Sequence, residues 1–304
     1  MTEQIGKRVS VAMATYNGEK YLAEQLDSII NQTVRPYEIV VCDDRSSDGT
    51  MNLLTEYAQK YDFIHVCLNE QNLGYKRNFE RALTICSGDY VAFSDQDDVW
   101  MPNHLELLLQ AIEGNVVSCG NCVFMDSEGN DIDMTLKYQE SLDYIPKEGY
   151  KKLMSILLFR NPYQGASMMV DRSVLNIVLP MPEKVESHDT WIASVGCVCG
   201  GLAYVDTPIL RYRRLLTSVT GMRTKRVPRL KRLLLSSIYR DRQYLAESLK
   251  QRTKGTISSE DLSFLNQFLK MCGRNGSLWG HLQNVFYNLT HYRTVYSCSL
   301  RRFL

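Results

Sequence analysis

Residues 9–43 read VSVAMATYNGEKYLAEQLDSIINQTVRPYEIVVCD, and the two periods in this stretch decide the fold. Residues 9–14 are a short apolar run of the kind that makes a buried strand. Residues 19–31 put Tyr21, Leu22, Leu26, Ile29 and Ile30 on one helical face, and 38–42 is again a strand-length apolar run. The alternation continues with a helix over 48–60, for which Ser46, Ser47 and Asp48 are capping candidates. A strand over 63–68, a helix over 75–86, a strand over 89–93 and a helix over 103–113 follow. Strand and helix taking turns predicts a parallel sheet with right-handed crossovers, and ligands then gather at the carboxyl ends of its strands.

Farther along, the pattern loosens. Residues 116–125 and 165–170 read as strands, 149–158 and 190–198 as helices, and 202–212 as one or two short strands around Pro208. This part is expected to complete the sheet and to supply the second wall of a cleft, with acceptor contacts in loops such as 126–147. Between 223 and 254, basic residues such as Arg226, Arg229, Arg242 and Arg252 face only Asp241 and Glu247, with Leu and Ile interleaved, which predicts a basic amphipathic helix. A further helix over 259–271 and an aromatic-rich tail follow. The expected division is a catalytic domain over 1–220 and a helical, basic region over 221–304.

Composition narrows the function classes. The 304 residues are 44% hydrophobic and 23% charged, as in ordinary globular chains, and no apolar run approaches the ~20 residues of a membrane span. The apolar run near the N-terminus is too short for a signal peptide, so a cytoplasmic location is expected. The nine cysteines sit mostly in apolar runs, where a thiol behaves as a small hydrophobe. Cys119 and Cys122 form one metal-type pair, but Cys197 and Cys199 have the wrong spacing for a second, so no zinc site is expected. The net charge of +1 and the lack of a recognition motif argue against nucleic acid as a partner.

Four polar clusters lie where strands should end. They are 14–18 (Ala-Thr-Tyr-Asn-Gly), 43–50 (Asp-Asp-Arg-Ser-Ser-Asp-Gly-Thr), 72–78 (Asn-Leu-Gly-Tyr-Lys-Arg-Asn) and 94–100 (Ser-Asp-Gln-Asp-Asp-Val-Trp). The first is a turn able to hold a nucleotide, and the third opens a helix whose free N–H groups and cations can face phosphate. In the fourth, crowded carboxylates repel unless a hard divalent cation joins them, although capping the next helix is the alternative use. A fifth element, 187–191 (Ser-His-Asp-Thr-Trp), places Asp189 at a helix start. There it serves as a cap or dipole partner, or, in a transferase cleft, accepts the proton of an attacking hydroxyl.

At these residues the sequence resembles family 2 glycosyltransferases, rhamnosyltransferase-like branch, over roughly 8–215. The resemblance implies an α/β GT-A fold, Rossmann-like, with a mostly parallel sheet flanked by helices, here carrying a C-terminal helical extension. It implies that Thr15, Tyr16, Asn17, Asp44, Arg77 and Asp95 contact the donor nucleotide, with Asp44 reading the base edge and Arg77 near the diphosphate. Asp95 and Asp97 occupy Asp-x-Asp positions for Mn²⁺ or Mg²⁺, with Asp97 the direct ligand, and Asp189 is the general base of an inverting transfer. Many family members have Glu-Asp where this chain has His188-Asp189. The branch commonly carries a His after its Tyr-Arg pair, whereas Arg214 and Leu215 follow Arg213 here. His188, Trp191 and Arg213 are accordingly candidate acceptor or diphosphate contacts. The implied donor is dTDP-rhamnose, or a UDP-hexose as the alternative, and the acceptor is a glycan or polyprenyl-diphosphate-linked saccharide in surface polysaccharide synthesis. The basic 223–254 segment offers contact with an anionic membrane surface. Two rival readings are a non-catalytic nucleotide- or glycan-binding homologue and a nucleotidyltransferase. The latter should show a Gly-rich, basic phosphate loop straight after the first strand, which Thr15-Tyr16-Asn17-Gly18 is not.

Overall fold

The computed structural model describes residues 6–132, 149–159, 161–215 and 236–272, with Gln283 and Tyr287. The first half follows the expected alternation: β1 (Val9–Thr15), α1 (Leu22–Ile30), β2 (Glu38–Asp43), α2 (Thr50–Lys60), β3 (Ile64–Leu68), α3 (Tyr75–Ile85) and β4 (Tyr90–Ser94). β2 is buried along its whole length and β1 along nearly all of it, which is why both read as continuous apolar runs. α1 buries Leu22, Leu26 and Ile29, spaced by four and three residues on one face. Then come β5 (Val99–Trp100), α4 (His104–Ala111), β6 (Val117–Met125), α5 (Gly149–Met154, continued by a π-helical turn Ser155–Phe159) and β7 (Met168–Asp171). The short α6 (Leu175–Val178), α7 (His188–Cys199), β8 (Leu202–Arg213), α8 (Ser236–Arg252) and α9 (Ser259–Cys272) complete the described elements.

The eight strands form one sheet in the order β3-β2-β1-β4-β7-β6-β8-β5. β3, β2, β1 and β4 pair in parallel, as expected, and so do β6 and β8. β7 departs from the expectation, because it runs antiparallel to both β4 and β6. Its four residues, Met-Met-Val-Asp, are apolar enough to be recognised as a strand, but a run that short carries no information on direction. Around Pro208 the chain makes one strand, not two. The β6–β8 register shifts at Gly120, Asn121 and Cys122, with Pro208 opposite Asn121, so the residue that cannot donate to a ladder lies at the irregularity. Asn121 bridges it through Nδ2 to the Asp206 carbonyl at 2.9 Å. Gly120 leaves room there for Ile209, whose Cδ1 would lie 2.2 Å from a Cβ at that position and would have to shift.

Of the three capping candidates for α2, Asp48 satisfies an N–H of its first turn, its Oδ1 accepting from Thr50 N at 3.1 Å. Gly49 is the N-cap and makes no side-chain cap bond. Ser46 instead bonds Asp43, through both its N–H (2.9 Å) and its hydroxyl (2.6 Å).

The chain divides into two compact units whose segments interleave, whereas the sequence reading drew one boundary at 220. The first unit (1–133, 163–181, 202–215) contains the whole sheet. The second (134–162, 182–201, 216–304) contains α5, α7, α8 and α9. In it Leu245 and Leu249 of α8 and Phe264, Leu265 and Phe268 of α9 are buried. Of the expected basic helix, 236–252 is α8, and 223–235 lies outside the described residues, as does the tail apart from Gln283 and Tyr287. Among the described residues no helix is long and apolar enough to cross a membrane.

Candidate active site

In the strand order, β2 lies on one side of β1 and β4 on the other, so the chain reverses direction across the sheet between β1 and β4. Loops leaving the carboxyl ends of two such strands diverge and leave a crevice. Here those loops are 16–18 and 95–98, and Gln96 joins them. The Tyr16 N–H donates to Gln96 Oε1 at 2.7 Å and Gln96 Nε2 donates to the Tyr16 carbonyl at 3.0 Å. A Cβ on Gly18 would come within 2.4 Å of Gln96 Oε1, so this pairing depends on glycine at that position. Asn17 takes φ +49°, a left-handed conformation that Asn tolerates, and its Oδ1 accepts from Ser47 N at 2.8 Å. The result is a braced loop that leaves Tyr16 50% exposed.

Two expected nucleotide contacts have other work. Thr15 is 1% exposed and its hydroxyl donates to Asp43 Oδ2 at 2.9 Å, inside the sheet end. Asp44 is also buried. Its Oδ1 accepts from Asn69 Nδ2 and Leu73 N, each at 2.7 Å, and its Oδ2 from Gly74 N at 2.8 Å. The N–H groups at 73 and 74, just ahead of α3, therefore meet Asp44. Asn69 and Asn78 were given no role by the sequence reading, yet they lock this corner. Asn78 Nδ2 donates to the Cys42 carbonyl at 2.7 Å and its Oδ1 accepts from Asn69 Nδ2 at 2.8 Å. A signal was present, because Asn78 interrupts the face that α3 buries with Phe79, Ala82 and Leu83.

Arg77, in the first turn of α3, donates through Nη1 to Glu80 Oε2 at 2.7 Å and to the Met181 carbonyl at 3.4 Å, with 40% of its side chain exposed.

The acids after β4 have separate environments. Asp95 and Asp97 are half-buried, and Asp98 is sealed inside. Asp98 Oδ1 accepts from Arg213 N at 2.9 Å, and its Oδ2 has no hydrogen bond among the described residues. Burial, with Asp97 and Asp95 close by, holds its carboxyl well above the usual carboxylate range. Burial also raises the Asp97 carboxyl, and Arg213 opposes the rise. Among the described residues no three His, Cys, Asp or Glu side chains converge on one point. The site is therefore no all-protein metal cage. The carboxylates of the half-buried Asp95 and Asp97 are the hard oxygen set that Mg²⁺ or Mn²⁺ uses when phosphates and water complete the shell, and in that sense the residues fit a divalent ion.

Arg213, expected at the diphosphate or acceptor, is buried. Its guanidinium is engaged by Glu24, the Asp97 carbonyl and Tyr21, which leaves it behind the acidic loop.

In the second unit, α7 begins at the fifth element. Asp189 is half-buried, and its Oδ1 accepts from the Ser187 hydroxyl and from Thr190 N at 2.5 Å. Asp189 Oδ2 makes no hydrogen bond among the described residues. His188 is buried, and burial holds its imidazole below the ordinary histidine range against the pull of Asp189. Trp191 is fully buried with Arg252 of α8 over its ring at 5.4 Å, so it is a packing residue and not an open platform for an acceptor. Arg242 and Glu186 pair at 3.2 Å, which ties α8 to the segment preceding α7.

The fold and this carboxyl-edge site define a GT-A-type α/β protein. TarS of S. aureus, solved with UDP-GlcNAc, shares the architecture at TM-score 0.60 and 19% identity, over 95% of this chain and 81% of that one. A model described as "Glycosyl transferase family 2" matches residues 10–176, and the chain belongs to that family. Putative glycosyltransferase EpsE of Bacillus subtilis is 37% identical over 39% of this chain and 45% of that protein. The dTDP-rhamnosyl transferase RfbG of Shigella flexneri is 37% identical over 35% of this chain and 39% of its own. The chain thus spans less than half the length of these two relatives.

Proposed function

We propose that the protein is an inverting, metal-dependent glycosyltransferase that moves a sugar from a nucleoside diphosphate donor to a saccharide acceptor in surface polysaccharide synthesis. The observation that carries this is the pair of half-buried acids, Asp95 and Asp97, at the β1–β4 switch point beside the exposed Tyr16. Tyr16 and Asn17 bind the nucleotide, and Arg77 meets the diphosphate with the donors left over from its Glu80 pair. Asp44 acts on the base side indirectly, by holding the 69–74 loop. Asp95 and Asp97 hold the divalent ion, which when bound supplies positive charge to the departing diphosphate. Asp189 takes the proton of the acceptor hydroxyl through Oδ2. The hydroxyl oxygen bonds to the anomeric carbon as the bond from that carbon to the diphosphate oxygen breaks, and configuration inverts.

The first-choice donor is dTDP-rhamnose, supported by the similarity to the dTDP-rhamnosyl transferase RfbG. A UDP-hexose is the alternative, supported by the ligand of TarS. The acceptor is a glycan or a polyprenyl-diphosphate-linked saccharide. A basic stretch within 221–304, the part of the chain that carries α8 and α9, would touch the inner face of the cell membrane, leaving the protein cytoplasmic and peripheral. Arg242 and Arg252 are engaged within the second unit, so that contact falls to the basic residues before them. The test is release of nucleoside diphosphate from dTDP-rhamnose, UDP-glucose and UDP-GlcNAc with Mn²⁺. Release of dTDP supports the first donor, and release of UDP supports the alternative. No release from any donor, with or without an added polyprenyl-diphosphate saccharide, leaves a non-catalytic binding protein.

A further inference from the structure

We infer that Arg213 is a positioning residue that clamps the acidic loop from behind and so sets the geometry in which Asp95 and Asp97 receive a divalent ion. This rests on the metal reading given above. An Arg at the end of an edge-proximal strand is ordinarily solvated. Arg213 is 2% exposed, and every part of it is engaged. Its backbone N–H donates to Asp98 Oδ1 at 2.9 Å and its Nε to the Asp97 carbonyl at 2.7 Å, so adjacent residues of the loop are gripped from one point. Its Nη2 pairs with Glu24 Oε2 of α1 at 2.5 Å, and its guanidinium lies 4.4 Å from the Tyr21 ring centroid. Its Nη1 reaches the carbonyls of Asp126 and Ser127 at 3.3 and 3.4 Å.

A planar fork with five N–H donors makes the side-chain bonds to Asp97, Glu24, Asp126 and Ser127 together, and an ammonium on a flexible stem cannot. The carbonyl gripped belongs to Asp97 itself, so the rotation of that peptide fixes where the Asp97 side chain leaves the backbone. Gln96 fixes the loop from the other side through Tyr16. Residues that orient metal-binding groups without touching the metal govern its affinity, and their loss weakens it by about 10–100-fold. The guanidinium also connects this loop to the turn at 126–127, so the metal side and the segment leading into residue 133 share one anchor.

The test compares Arg213→Lys with wild type and with Ile39→Val, a core change in β2 remote from the loop. Two readouts are taken: hydrogen exchange at the amides of residues 95–99, and the Mn²⁺ concentration that half-saturates binding of UDP or dTDP. The expected result is faster exchange confined to the loop and a rise of about tenfold or more in the Mn²⁺ requirement, with neither change in Ile39→Val. Wild-type exchange and an unchanged Mn²⁺ requirement in Arg213→Lys overturn the inference, and so do changes no larger than the control's. If Arg213→Lys does not fold, Glu24→Gln at the half-exposed end of the pair is read the same way: a smaller shift in both measurements supports the clamp and no shift overturns it. If wild type binds neither nucleotide with Mn²⁺, the metal reading fails, and loop exchange alone decides whether the clamp exists.

Discussion

At the scale of single residues, the site separates carboxylates by environment. Asp98 is sealed, with its carboxyl held well above the usual range, Asp97 is half-buried, and Asp44 is saturated by N–H donors. Their substitutions should therefore have different signatures. Asp97→Asn and Asp189→Asn are each expected to lower turnover by about 10²–10⁴-fold, the scale of a lost base or charge in the transition state. Only Asp97→Asn should weaken Mn²⁺-dependent donor binding, which steady-state kinetics with calorimetry will separate, and a fully active Asp189→Asn would remove Asp189 as the base. Asp44→Asn replaces an acceptor-only group facing three N–H donors, so a loss of about 1–3 kcal/mol in denaturant unfolding is expected, along with weaker nucleotide binding through the loosened 69–74 loop. Stability equal to wild type would mean that the Asp44 contacts are unimportant to the folded state.

At the scale of elements, the parts legible in the sequence were those with a period. Strands and helices from β1 to α4 were readable because apolar runs and four-residue spacing survive in the residues themselves, as in Leu22, Leu26 and Ile29. β5 was not, because Val99-Trp100 has no period of its own and becomes a strand only by pairing with Leu210 and Arg211. The roles of Asn69, Asn78 and Arg213 were hidden for a similar reason: each depends on which carbonyl or carboxylate a distant element brings near. The motif residues were visible as polar breaks at strand ends, but residue type did not separate exposed Tyr16 from buried Thr15. One element-level prediction follows from β2. Burial tends to raise the Glu38 carboxyl, but Ser10 Oγ and the Ser87 N–H and hydroxyl, with His65 opposite, together bring it below its ordinary value of 4.5. The folded state therefore binds this proton less readily than the unfolded chain. The stabilisation is complete above about pH 4.5 and drains away as pH falls through the lower folded value. Glu38→Gln should cost about 1 kcal/mol at pH 7 and flatten the acid limb of a stability-versus-pH curve measured by urea unfolding. An acid limb parallel to that of wild type would contradict this.

At the scale of the whole molecule, chain order and compactness do not coincide. The sheet unit is assembled from three segments, and the helical unit draws α7, with Asp189, from the middle of the chain and α8 and α9 from its end. The basic C-terminal segment therefore has a structural use visible in its own unit, since Arg242 pairs with Glu186 just ahead of α7 and Arg252 covers Trp191 within it. Arg242→Ala is expected to lower the thermal midpoint and to slow turnover with little change in Mn²⁺ requirement, because it loosens the Asp189 element and leaves the acidic loop intact. A raised Mn²⁺ requirement in that variant would count against this division of labour. The central claim is that a nucleoside diphosphate and a divalent ion meet at the β1–β4 switch point through Asp97. It is tested most directly by calorimetric titration of wild type and Asp97→Asn with dTDP and UDP, each with and without Mn²⁺. The prediction is that wild type binds one nucleotide in a Mn²⁺-dependent manner and that Asp97→Asn loses the dependence. Binding of neither nucleotide, or binding that ignores both Mn²⁺ and the substitution, would contradict it.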